Sequence, residues 1–226
     1  MTSSSPSKFT YTMVELAHHL PYSVSGVLVS VIIMGLLTFL AQIMGAQQQL
    51  ADSSENLFHI FHPAHILFSA VATTAMFWKH DNKSVLKAIV IGFIGSLGIC
   101  GVSDILIPLA GGMALGYKMH VHVCLLEEPW LIISFAMVGV LAGLMVTKTF
   151  EKSTQYSHGV HVFLSSTASL LYLISFGVAN WMQAIAGVFF VTVIAVMLPC
   201  CLSDIVFPLV CTHRYCRHGR GSAKGE

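Results

Sequence analysis

Long apolar runs separated by short polar stretches set the organisation of this chain. Six runs are long enough to cross about 30 Å of hydrocarbon as helices. They lie roughly at residues 22–45, 57–78, 86–108, 129–149, 158–179 and 184–210. Between them come an acidic connection at 46–56, a short basic turn at 79–87 and a longer connection at 111–128. The pattern predicts an all-α polytopic membrane protein. Its parts would be a cytoplasmic N-terminal segment (1–21), a first three-helix repeat (22–112), an outer loop (113–128), a second three-helix repeat (129–210) and a cytoplasmic basic tail (211–226).

Composition agrees with that pattern. Of 226 residues, 55% are hydrophobic and only 9% charged, against about 25% charged in an average soluble domain. So few charges cannot coat a globule of this size. A net charge of +1, with no basic patch interleaved with aromatics, argues against a nucleic-acid partner. The first 21 residues lack a basic segment and a small-residue cleavage site, so the first span is expected to remain as a signal anchor. The six cysteines have no disulfide-framework spacing.

Lys and Arg set the orientation. With the N-terminus in the cytoplasm, the inner segments hold Lys8, Lys79, Lys83, Lys87, Lys148, Lys152, Arg214, Arg217, Arg220 and Lys224, and the outer connections hold only Lys118. This bias supports six crossings with both termini inside. Compactness and short loops favour a bacterial inner membrane.

The polar residues inside the apolar runs repeat. His62-Pro63-Ala64-His65 is followed by Ser69, and His158-Gly159-Val160-His161 by Ser165, so both copies read His-x-x-His-x-x-x-Ser, 96 residues apart. Ser103-Asp104-Ile105-Leu106-Ile107-Pro108 is echoed by Ser203-Asp204-Ile205-Val206-Phe207-Pro208, 100 residues on. Two matched motifs in one order indicate an internal duplication. Three crossings per copy would make the halves inverted-topology repeats.

On a helix, positions i, i+3 and i+7 share a face, so each copy aims two imidazoles and a hydroxyl one way. A carboxylate in the hydrocarbon costs roughly 2.5 kcal/mol or more and is retained with a partner. The topology predicts one cluster toward each membrane face: His62, His65 and Asp104 on the outer side, His158, His161 and Asp204 on the inner. Proline lacks an N–H, so Pro108 and Pro208 would free the carbonyls of Asp104 and Asp204 for a cation. Imidazoles with a carboxylate suit Zn²⁺, Ni²⁺, Mn²⁺ or Fe²⁺. Glu127 and Glu128 could add donors on the outer side, and Glu15 and His19, which are i, i+4, on the inner side. His120 and His122 could capture cations from the outer solution, and the tail Cys211-Thr212-His213-Arg214-Tyr215-Cys216 could accept them. His59 and His80 read as hydrogen-bonded packing residues, and Gly92, Gly95, Gly98 and Gly101 as close helix packing.

The expected function is transport of a divalent transition-metal cation through paired His/Asp sites, with protons as a coupling ion. The alternative is a membrane metalloenzyme or oxidase subunit with a His/carboxylate centre. Catalysis is less favoured, because the chain has no His-Glu-x-x-His helix and the two clusters look equivalent. A haem carrier ranks last, since two ligands three residues apart on one helix cannot flank one haem. The expected partners are the bilayer and the cation, with a homo-oligomer as an open alternative.

Overall fold

The structure, a computed structural model, describes residues 8–80, 84–145 and 154–201. Helices α1 (Lys8–Met44), α2 (Gln47–His80) and α3 (Val85–Ala114) are followed by the short α4 (Cys124–Glu127) and by α5 (Pro129–Met145), α6 (Thr154–Ser175) and α7 (Ile185–Cys201). A 3-10 turn, Trp181–Ala184, leads into α7. Among the described residues there is no strand. Among the described residues, four helical stretches are long and apolar enough to cross a membrane: Leu20–Met44, Gln47–Trp78, Val85–Ala114 and Trp181–Pro199. Pro129–Met145 and Gly159–Ser175 are apolar but shorter.

Helix boundaries differ from the sequence reading at the polar connections. Residues 46–56 do not form a loop: α1 stops at Gly45, whose φ of 67° suits glycine, and α2 begins at Gln47. Gln and Ala are good helix formers, and the Gln48 amide donates to Asp52 Oδ1 one turn on at 2.9 Å. Likewise α1 extends back to Lys8 through the polar N-terminal segment, and α3 runs on to Ala114, which shortens the connection after it. The end of the last span, after Cys201, and the cysteine tail lie outside the described residues.

Many large apolar side chains lie on the surface, and a group of polar ones lies inside. Ile32, Ile43, Met44, Trp130 and Phe190 are exposed, while His62, His65, Ser69, Thr73, Ser103, Asp104, His161 and Ser165 are buried. Water would favour the reverse, whereas a hydrocarbon solvent favours this arrangement. The protein is therefore read as an integral membrane protein.

Helix α2 is the hub. It packs along α5 and α6 and against α3, while α1 lies against α6 and α7. Its approach to α5 runs over Gly139 and Gly143, a small-xxx-small pair. A Cβ on Gly139 would collide with the Leu67 carbonyl oxygen, and one on Gly143 would stand 2.8 Å from that of Val71. Gly92 and Gly95 similarly meet Thr74 and Thr73. Gly98 and Gly101 do not follow the packing expectation. Nothing lies within 4 Å of either Cβ position, and both line a cavity of roughly 180 Å³ that His62 borders.

Helix α3 departs from α geometry over Ile94–Ile99 and Val102–Leu106, where it widens into π turns. The Ile107 N–H bonds the Val102 carbonyl five residues earlier. In that register the carbonyl deprived of a donor by Pro108 is that of Ser103, not only that of Asp104. The Ser169 hydroxyl of α6 donates to the Ser103 carbonyl at 3.2 Å. The freed acceptor is thus satisfied by a neighbouring helix, and the π turn turns Asp104 into the bundle.

Candidate functional site

Three helices place the buried polar cluster. Helix α2 contributes His62 and His65 three residues apart, α3 contributes Ser103 and Asp104 from its second π turn, and α6 contributes His161 and Ser165 one turn apart. Asp104, His65, Ser103 and Ser165 are fully buried, and His62 and His161 are 2% exposed.

The Asp104 carboxylate organises the cluster. His62 Nδ1 and His65 Nδ1 stand 2.8 Å and 2.7 Å from the same oxygen, Oδ2. An ionised carboxylate only accepts, so both rings carry their proton on Nδ1 and turn Nε2 away from the acid. The Ser103 hydroxyl donates to Oδ1 at 2.6 Å. Ser165 Oγ lies 3.3 Å from Oδ1 and 3.0 Å from Ser103 Oγ. Four donors therefore surround one acid, which is how a charge can stay in a dry interior.

The acid's orientation of His65 matters on the far side of the ring. His65 Nε2 faces His161 Nε2 at 3.2 Å, with the rings nearly perpendicular at 75° and 4.6 Å between centroids. Two imidazole nitrogens at that distance need one proton between them. The Cys100 thiol also lies within hydrogen-bonding reach of His65. The arrangement can relay a proton from one ring to the other. With that proton removed it offers two nitrogen lone pairs converging on one point.

A second group of donors lies at the N-terminal side of α2. The connection after α3 is pinned to α6: the His120 N–H bonds the Phe176 carbonyl at 2.7 Å, and the His122 N–H bonds the Tyr172 hydroxyl at 3.2 Å. His122 also stacks on Phe176, with centroids 4.5 Å apart. This brings His122 and Cys124 over His59 of α2, with one ligand atom of each within 4.8 Å of the others. Glu127 Oε1 is 3.0 Å from His122 Nδ1, and Glu128 Oε2 is 3.8 Å from His59 Nδ1. Burial holds the His122 ring below the ordinary imidazole range, against the pull of Glu127. Burial, aided by Glu128 and Glu127, pushes the Cys124 thiol up to about 12.

The candidate residues read from sequence therefore divide in three. His62, His65, Asp104 and His161 come together in the buried cluster, so a histidine from the second motif copy joins the acid of the first rather than a separate cluster. Glu127 and Glu128 belong instead to the outer group with His59, His122 and Cys124. The side chains of Glu15, His19 and His158, and all of Asp204, lie outside the described residues. Cys100 and Cys124 were not assigned as candidates from sequence, and His59 was read as packing. One signal was available for His59: it stands three residues before His62, on the same helical stripe.

The chain matches no protein-family model, no curated protein and no solved structure.

Proposed function

We propose that this protein is a membrane transporter of a divalent transition-metal cation, exchanged for protons at the His65–His161 pair. The observation that carries the reading is the 3.2 Å separation of the two Nε2 atoms, with the opposite side of His65 held by Asp104. Two nitrogen ligands at about 2.05 Å on a tetrahedral Zn²⁺ stand about 3.3 Å apart. The gap that holds a proton therefore also fits a cation with little movement. When both rings keep a proton on Nδ1 and one further proton sits between the Nε2 atoms, a cation that takes both lone pairs displaces that further proton, which couples the two ions. Asp104 then acts through His65, fixing its tautomer and its ring orientation. Zn²⁺, Ni²⁺, Mn²⁺ and Fe²⁺ all suit imidazole, and the Cys100 thiol beside His65 favours zinc among them.

The same reading includes six crossings built as two inverted repeats, with both termini on the cytoplasmic side of a bacterial cell membrane. It is supported by the Lys/Arg bias and by the meeting of His65 with His161, which occupy equivalent positions in the two motif copies. Equivalent residues meet where a two-fold axis passes between them, and transporters of this construction bind cargo at that interface.

Zinc flux into proteoliposomes, with a pH-sensitive dye in the lumen, tests the proposal. Wild type should move Zn²⁺ and protons in opposite directions. His161→Gln removes a ligand, so it should lower both fluxes by at least the roughly ten- to hundredfold that metal sites lose when only a supporting partner is removed. Equal fluxes in variant and wild type would defeat the exchange mechanism.

A further inference from the structure

We propose that His59, His122, Cys124 and Glu128 form a separate zinc-class metal site where the connection after α3 meets the N-terminal half of α2, with Glu127 orienting His122. It goes beyond the transport reading and does not depend on it.

Four donor groups from three segments converge there. Cys124 Sγ lies 3.4 Å from His122 Nε2 and 4.0 Å from His59 Nδ1. A thiolate and an imidazole nitrogen on one tetrahedral zinc, at about 2.3 Å and 2.05 Å, stand about 3.6 Å apart. The observed separations bracket that value. Glu128 Oε2, 3.8 Å from His59 Nδ1, belongs to a half-exposed side chain that can swing in as the fourth donor. The resulting set is two nitrogens, one sulfur and one oxygen, a borderline-soft set that prefers Zn²⁺ to Mg²⁺ or Ca²⁺.

The partners of these ligands also fit. Glu127 Oε1 stands 3.0 Å from His122 Nδ1, and a carboxylate there favours the tautomer with the proton on Nδ1, which leaves Nε2, 3.4 Å from Cys124 Sγ, as the ligand atom. A carboxylate behind a ligating imidazole is the usual support of a metal-bound histidine. The group is accessible, because Glu127 and Glu128 have side chains 53% and 49% exposed and His59 is 23% exposed.

The site is distinct from the buried cluster but adjacent to it. Phe58 is fully buried between them. It stacks on His62 at 5.3 Å and meets His59 and His122 edge-on at 5.8 Å and 5.9 Å. His59 and His62 lie one turn apart on α2, so the aromatic ring separates two sets of imidazoles along one helix.

Co²⁺ is the probe, because thiolate-bound tetrahedral cobalt absorbs by charge transfer and d–d bands. The full-length protein, purified in detergent with reductant, would be titrated with Co²⁺, then with Zn²⁺, with Mg²⁺ as control. Wild type should develop the charge-transfer band, lose it to Zn²⁺ and ignore Mg²⁺. In a Cys100→Ser background, which removes the thiol beside His65, Cys124→Ser should abolish the band, whereas the double variant Cys211→Ser with Cys216→Ser should retain it. Because Cys124 is buried, a loss on its substitution is read together with two more accessible positions. His59→Gln and Glu127→Gln should each weaken Co²⁺ binding about tenfold or more, with unchanged metal-free melting. A band that survives Cys124→Ser, full affinity in both His59→Gln and Glu127→Gln, or no band in wild type would each overturn the site. A failed transport assay with an intact cobalt spectrum would remove the transport reading and leave this one standing.

Discussion

Asp104→Asn is expected to reduce transport to background and to destabilise the fold by about 3 kcal/mol or more. The acid is fully buried and takes donors from His62, His65 and Ser103, with Ser165 close by. An amide has one acceptor oxygen in place of two, and its NH₂ would face hydroxyl or ring N–H groups that also donate. Each buried donor left unsatisfied costs about 1–3 kcal/mol, and the two ring N–H groups that share Oδ2 are both left so. The functional loss should exceed the stability loss. Without the carboxylate, nothing holds the His65 proton on Nδ1, and the Nε2 pairing with His161 loses its orientation. Flux in proteoliposomes and thermal melting in detergent, measured on one preparation, separate the two effects. A folded variant with full flux would show the acid to be dispensable.

Gly139→Val is expected to have a comparable effect on stability through packing alone. The first added carbon meets the Leu67 carbonyl oxygen and stands 2.7 Å from Ala70 Cβ. The obstacle is largely backbone, so α5 must move away from α2. Overpacking of this kind costs about 1–3 kcal/mol, and the upper end is expected where no side chain can yield. Gly98→Ala is the contrast. Its Cβ position is open, and alanine favours helix over glycine by about 1 kcal/mol. Melting curves should therefore show a clear loss for Gly139→Val and no loss for Gly98→Ala. Equal melting of the two variants would contradict the close α2–α5 contact.

Much of this organisation was legible in the chain. The apolar runs marked the helices, and the repeated His-x-x-His-x-x-x-Ser pattern marked the faces that turn inward. The pairing of His62 and His65 with Asp104 followed from the cost of a carboxylate in hydrocarbon. Three things were not legible. The widening of α3 is a matter of hydrogen-bond register, and it made the Ser103 carbonyl, bonded by Ser169, an acceptor that Pro108 leaves open. Residues 46–56 looked like a loop because they are polar, although Gln47, Gln48, Leu50 and Ala51 favour helix. The grouping of His59 with His122 and Cys124 depends on the fold of the connection after α3, which Tyr172 and Phe176 hold from a distant helix. No local pattern encodes that.

The central claim is that Asp104 fixes His65 so that its Nε2 shares one site, for a proton or a cation, with His161. Nitrogen-15 NMR of the protein labelled at histidine, with His65 and His161 assigned by substitution, reads this directly. The account predicts that His65 is protonated at Nδ1 and that Zn²⁺ shifts the Nε2 signals of His65 and His161 together. A His65 ring protonated only at Nε2, or Nε2 signals that ignore Zn²⁺ at saturating concentration, would contradict it.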